Sequence, residues 1–186
     1  MVKNNLSNFS LALFTPIAVL FIAISAQLSI NLPEDVSMVP ITGQSFAVLI
    51  LAHIMKEKWA FIIVFLYLLI GVLGAPVFSD FSSGIDSFTG PSMGYLIGFL
   101  PAVLITGTLA SKQGTKFSNL LVQMLLGTLI ILICGYLGLF RFLDPSDAFI
   151  KGVKPYLLGA FVKIMLAVIL LAVFYKLKAL MNNKIA

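Results

Sequence analysis

The sequence predicts an all-α protein: an integral membrane bundle of six transmembrane helices with both termini on the cytoplasmic side. Three observations predict it. Hydrophobic residues make up 60% of the chain and charged residues 10%, with a mean hydropathy of +1.10, whereas a soluble domain carries roughly 25% charged residues. The apolar runs are continuous rather than alternating, which selects helices over a closed barrel in lipid, where the backbone has no water to bond. Lysine is spread unevenly over successive connections, which orients the bundle.

A helix needs about 20 apolar residues to cross a bilayer. Six runs approach or reach that length: about 9–30, 41–55, 59–75, 92–111, 118–139 and 156–177. The first follows Lys3 and passes through Ala-Ile-Ser-Ala at 23–26, which imitates a cleaved leader but reads as a retained span. The second and third are short and separated only by Lys56, Glu57 and Lys58, so they are tilted or incompletely spanning. Trp59 there reads as an anchor at the inner interface.

The fourth run carries Gly94, Gly98, Ala102, Thr106 and Ala110, a small residue at every fourth position. That spacing lets helices approach closely in lipid. Packing within the bundle is favoured over docking to a partner subunit, because six helices need internal contacts anyway. The fifth contains Cys134, the single cysteine, so no intramolecular disulfide forms and no cysteine cluster can hold a metal. The sixth holds Lys163 among Phe161, Val162, Ile164 and Met165. A lysine at the centre of a span costs roughly 2.5–3.5 kcal/mol. Lys163 lies nearer the outer end, where its stem could snorkel outward or its ammonium could meet a ligand.

With both ends inside, the cytoplasmic side holds Lys3, Lys56, Lys58, Lys112, Lys116, Lys176, Lys178 and Lys184. The outer side holds Arg141, Lys151 and Lys154, together with Glu34, Asp35, Asp80, Asp86, Asp144 and Asp147; only Glu57 falls inside. This distribution explains the formal charge of +5 as membrane topology, and no nucleic acid is needed to account for it. The 186 residues form a single domain with no linker, low-complexity segment or internal repeat, which weighs against an inverted-repeat carrier.

Chemistry within the chain is sparse. No phosphate-binding Gly-rich loop is present, so the chain has no nucleotide-driven motor of its own. His53 is the only histidine and reads as a polar residue near the inner interface. Carboxylates do not pair within the spans, so neither hydrolysis nor proton relay has a foundation. The reading is of a protein that is not an enzyme and uses no cofactor or metal.

The inner connections are short, while the outer ones, 31–40, 76–91 and 140–155, are long, non-helical and rich in turn residues. Gly71 to Phe99 is the most informative stretch. Pro76 and Pro91 fix turns, and Gly84 and Gly90 relax them. Ser92 stands at a helix start, where free backbone N–H groups are available. Phe78, Phe81 and Phe88 supply apolar surface beside Asp80 and Asp86, the composition a small-molecule pocket requires.

Several motifs together resemble the BioY-type biotin transporters, the substrate-binding subunits of energy-coupling-factor vitamin uptake systems. They are Gly-x-x-Gly-x-Pro-Val-Phe at 71–78, Gly-Pro-Ser-x-Gly-Tyr-Leu-x-Gly-Phe at 90–99, Val-Pro-Ile-Thr-x-Gln at 39–44 and Ala-Gln-Leu-Ser-Ile-Asn-Leu-Pro at 26–33. The similarity runs in order from about residue 20 to 175. It implies a single substrate-binding domain over 1–186, in a bacterial cell (inner) membrane, that binds biotin in an outward-opening cavity capped by the first outer loop. It implies as partners membrane lipid, a transmembrane coupling protein and two ATPase subunits. It places the ligand contacts at Thr42, Gln44, Asp80, Ser92, Tyr95 and Lys163, with Phe78 against the apolar tail.

Read from the residues alone, each of these positions has a plainer use. Asp80 and Asp86 could solvate a loop, Tyr95 could anchor at the interface, and Thr42 and Gln44 could satisfy backbone at a helix entry. Two departures from the family pattern are visible. Gly-Asp-x-x-Lys in the last helix is here Gly159, Ala160, Phe161, Val162, Lys163, so the task of that acid moves to Asp80 or another group, or the ligand changes. The Ala-x-x-x-Ala docking surface of the first helix is here Pro16 and Leu20. A subunit for another vitamin-like ligand, a solitary carrier and a non-transporting membrane scaffold are the alternatives.

Overall fold

The computed structural model describes residues 8–55 and 57–185. Lys3 and Lys56, used above to orient the chain, lie outside the described residues, as does the side chain of Lys184. Each of the six apolar runs contains one principal helix: α1 (Asn8–Gln27), α2 (Gln44–Ile54), α3 (Glu57–Val72), α5 (Met93–Gln113), α6 (Phe117–Leu139) and α8 (Tyr156–Ile185). Between them lie a two-stranded antiparallel pair, β1 (Ser29–Ile30) with β2 (Ile41–Thr42), and two short helices, α4 (Gly84–Thr89) and α7 (Pro145–Gly152).

Among the described residues three helical segments are long and apolar enough to cross a membrane: Met93–Gln113, Phe117–Leu139 and Tyr156–Met181. The others are shorter. α2 has 11 residues and α3 has 16, which at 1.5 Å per residue is about 16 and 24 Å, less than the roughly 30 Å hydrocarbon layer.

The connections expected to be non-helical are partly helical. α7 forms because Pro145 sits in its first turn, where the missing N–H costs nothing, and Asp147 complements the positive end of the helix. A single 3-10 turn at Ser79–Phe81 and α4 occupy the α3–α5 connection.

Helices α5 and α6 pack with almost no side chain between them. A Cβ on Gly94 would strike the Cys134 carbonyl and lie 2.9 Å from the Gly138 Cα, and one on Gly98 would lie 2.7 Å from the Cys134 Cβ. The small-residue stripe therefore serves packing inside the bundle, as the spacing suggested. Pro16 and Pro101 sit inside α1 and α5 without ending them. The core is built from Ile22, Ile63, Tyr67, Val103, Leu120, Met124, Val168 and Leu171, all under 2% exposed. Leu13, Ile17, Leu20 and Ile24 on α1 and Phe161, Leu166, Ile169 and Leu170 on α8 point outward instead, as expected where hydrocarbon replaces water.

At the end opposite the β pair, His53 is buried with its ring bonded to Gln123 Oε1 at 2.9 Å and to the Leu49 carbonyl at 3.2 Å. Tyr175 donates to the His53 carbonyl at 2.8 Å. His53 thus fastens α2 to α6 and α8 rather than sitting free at an interface.

Candidate functional site

The site begins at the entry to α2. Gly43 must be glycine, because a Cβ there would lie 2.6 Å from the Ser25 carbonyl oxygen. That close approach holds α1 against the start of α2, with the Gly43 N–H donating to the Leu28 carbonyl at 3.0 Å. Thr42 Oγ1 then donates to Gln44 Oε1 at 2.9 Å, Gln44 Nε2 donates to the Tyr67 hydroxyl at 2.5 Å, and Tyr67 donates to the Val77 carbonyl at 3.0 Å. The chain of bonds runs from β2 through α2 and α3 to the segment before Phe78.

Lys163 reaches this entry from α8. Its Nζ donates to Ser45 Oγ at 2.8 Å and to the Thr42 carbonyl at 3.2 Å. Its stem is half-buried along the bundle rather than extended outward, so the snorkelling alternative does not describe it. Ala160 lies one turn earlier on the same helix and is buried.

Aromatic rings form the apolar walls. Phe78 is 3% exposed, stands edge-on to Tyr67 with centroids 5.8 Å apart, and leans on Phe88 at 6.4 Å. Gly71 makes room for the Phe78 ring, which any Cβ there would overlap. Tyr95 lies flat over Gly135 and donates its hydroxyl to the Gly152 carbonyl. It is a buried wall, not an interfacial anchor. Tyr156 lies 5.6 Å from it, centroid to centroid.

These elements surround a cavity whose empty space, its opening to solvent included, is about 730 Å³. Thr42, Gln44, Phe78, Ser92, Tyr95 and Lys163 all line it, so six of the seven expected contacts are brought together. A smaller recess of about 240 Å³ continues past Ser45, Thr128, Ala160 and Lys163 toward Leu49, Met124 and Ala167.

Asp80 is the exception. It is exposed and does not line the cavity. The backbone turns through the left-handed region at Asp80 (φ 54) and Phe81 (φ 55), which aims the carboxylate away. Asp80 instead accepts from Ser29 Oγ at 2.9 Å and from Asn31 Nδ2 at 3.2 Å. Gln27 supports the same turn: its Nε2 donates to the Phe78 carbonyl at 2.9 Å, and its Oε1 accepts from the Phe81 N–H at 3.0 Å. Asp80 therefore does not stand on the cavity wall where the missing acid at 160 would.

The first connection lies over the cavity, which Val39 and Pro40 line. It is held by Tyr156, whose hydroxyl donates to the Val39 carbonyl and lies 2.8 Å from Ser37 Oγ. Ser45, Thr128 and Tyr156 are lining residues that sequence reasoning missed. Tyr156 directly after Pro155 at the start of the last span was a usable signal. Ser45 and Thr128 gave none, being ordinary small polar residues in apolar runs. Among the described residues no group of three or more His, Cys, Asp and Glu is placed to hold a metal.

The BioY family model matches residues 3–180. The chain is 36% identical over 154 residues to the "Probable biotin transporter BioY" of Pyrococcus horikoshii, covering 81% of this chain and 89% of that one. It is 35% identical to the "Biotin transporter BioY2" of Lactococcus lactis subsp. cremoris, covering 79% and 81%. It is 32% identical to the "Biotin transporter BioY" of Thermotoga maritima, covering 71% and 78%. A crystal structure of the S-component for biotin from an ECF-type ABC transporter superposes with a TM-score of 0.82 over 95% of both chains at 22% identity, which establishes likeness of fold.

Proposed function

The chain belongs to the BioY family, and from that premise we propose that it is the membrane-embedded substrate-binding subunit of a biotin uptake system. The observation that carries this reading is the lidded cavity itself, with aromatic walls from Phe78, Tyr95 and Tyr156 and one ammonium, Lys163, turned to it. Such a cavity binds a compact ligand with an apolar body and a few polar groups. Thr42, Gln44, Ser92 and Lys163 supply the polar contacts, and Phe78 and Tyr95 the apolar ones. Asp80 contributes by holding the first connection in place.

In this reading six helices span the bacterial cell membrane with both termini inside, and the cavity opens outward beneath the connection over 31–40. Uptake requires energy from elsewhere, because the chain has no nucleotide-binding loop; a transmembrane coupling protein and two ATPase subunits supply it. A partner docking on α1 would meet Pro16 and Leu20, both exposed, in place of the family's paired alanines.

A thermal-shift screen in detergent tests the ligand. A ligand that binds only the folded form adds about 2.7 kcal/mol of stability at a hundredfold excess over its Kd. Biotin should raise the melting temperature while thiamine and riboflavin leave it unchanged. No shift with biotin, or a larger shift with thiamine or riboflavin, contradicts the proposal.

A further inference from the structure

We propose that the root of the first connection is seated in the outer leaflet, with Leu28, Ile30, Leu73 and Phe81 among lipid acyl chains at their border with the headgroups. The inference rests on the reading of the chain as a six-helix membrane bundle. It goes further, by assigning a lipid contact to segments outside the spanning helices.

The first support is continuity with the lipid-facing surface of the helices. The outward stripe of α1, Leu13, Ile17, Leu20 and Ile24, continues at helical spacing to Leu28. Exposure does not fall off there: Leu28 is 70% exposed and Ile30, two residues on, 63%. α3 carries a second outward stripe, Ile62, Phe65 and Leu69, which continues to Leu73 at 76%. Phe81, in the turn that follows α3, is 69% exposed. The 16 residues of α3 are about 24 Å long against a hydrocarbon layer of about 30 Å. A span that starts at the inner surface with Glu57 and Lys58 thus brings Leu73 to about 6 Å short of the outer boundary. An apolar side chain exposed at that depth meets acyl chains.

The second support is how the polar groups of this junction are used. Non-helical backbone beside lipid must have its hydrogen bonds made within the protein. The N–H groups of Leu73, Gly74, Ala75, Phe78 and Ser82 donate to carbonyls of α3 or of the turn itself, and that of Phe81 donates to Gln27 Oε1. Across from them β1 is paired with β2. Asp80 and Phe81 both lie in the left-handed region, φ 54 and 55, which is unfavourable for an aromatic residue. That backbone lays the Asp80 carboxylate on Ser29 and Asn31 and leaves the Phe81 ring outside. The polar groups are bonded to one another, and the side chains left over are apolar. The first connection is then held between a lipid-seated root at 28–31 and its Tyr156 fastening at Ser37 and Val39, with Glu34 and Asp35 exposed between them.

The test uses tryptophan fluorescence of the full chain in vesicles. Trp59 is the single tryptophan, so in a Trp59→Phe background one new tryptophan reports on one place. Ile24→Trp, Phe81→Trp and Glu34→Trp are each reconstituted into phosphatidylcholine, with and without bromine near the head of the acyl chain, and iodide in the buffer serves as the aqueous quencher. Bromolipid should remove from Phe81→Trp at least about half the fraction of emission that it removes from Ile24→Trp, the two lying in one leaflet. Iodide should quench Phe81→Trp far less than Glu34→Trp. Leu73→Trp should behave as Phe81→Trp does and carries the test if Phe81→Trp does not fold, which melting temperatures check. Quenching of both by iodide and not by bromolipid overturns the proposal. Quenching by neither also overturns it, because protein, a second copy of the chain included, then covers these residues. An Ile24→Trp that bromolipid leaves unquenched overturns the membrane reading as well.

Discussion

Ser45 on α2 accepts a hydrogen bond from Lys163 on α8 at 2.8 Å. This contact joins the helix that opens the cavity to the last helix of the chain. It fixes the ammonium on the wall, with one proton to spare. Much of the expected behaviour of the protein follows from what surrounds this pair.

Ala160→Asp restores an acid one turn from Lys163. The new carboxylate would stand on the cavity wall beside the ammonium, as an acceptor for a ligand N–H. Biotin affinity should rise about tenfold, the gain of one charge-assisted contact. Competition binding measures this, and weaker biotin binding by the variant would contradict it.

Asp80 holds the first connection through Ser29 and Asn31 and stands off the cavity lining. Asn tolerates the left-handed backbone and retains an acceptor, so Asp80→Asn should bind biotin within about threefold of wild type. Asp80→Val combines a β-branched side chain with φ 54 and removes both bonds to Ser29 and Asn31. It should speed hydrogen exchange at 29–31 and 78–82 and raise the biotin dissociation rate several-fold. A large affinity loss in Asp80→Asn would indicate direct ligand contact.

Gly94→Val should damage the fold. Its side chain would meet the Cys134 carbonyl and the backbone of Gly135 and Gly138, none of which can rotate aside. Overpacking typically costs about 1–3 kcal/mol, and with backbone as the obstacle the upper end is expected. The melting temperature in detergent should drop by several degrees. Gly114→Ala, at an open position with φ 76, should cost less.

The six apolar runs were legible because lipid demands long uninterrupted hydrophobic segments, a local property of the sequence. The packing stripe on α5 was legible for the same reason: Gly94, Gly98, Ala102 and Thr106 share a face by spacing alone. Lys163 stood out as a charge in an apolar run. Its partners did not, because Ser45 is 118 residues away and nothing local marks it. Asp80 was placed on the cavity because it follows the Pro-Val-Phe turn; two consecutive left-handed residues direct it to the other side, and that conformation has no glycine to announce it. The first connection reads as a loop in the sequence, but its fastening by Tyr156 to Ser37 and Val39 depends on contacts across more than a hundred residues.

The most direct test of the central claim is equilibrium binding of biotin to the purified chain, wild type beside Lys163→Ala. Wild type should bind saturably and the variant with an affinity at least about tenfold weaker, with both proteins equally abundant in membranes. Failure of wild type to bind biotin, or an unchanged affinity in Lys163→Ala, would contradict it.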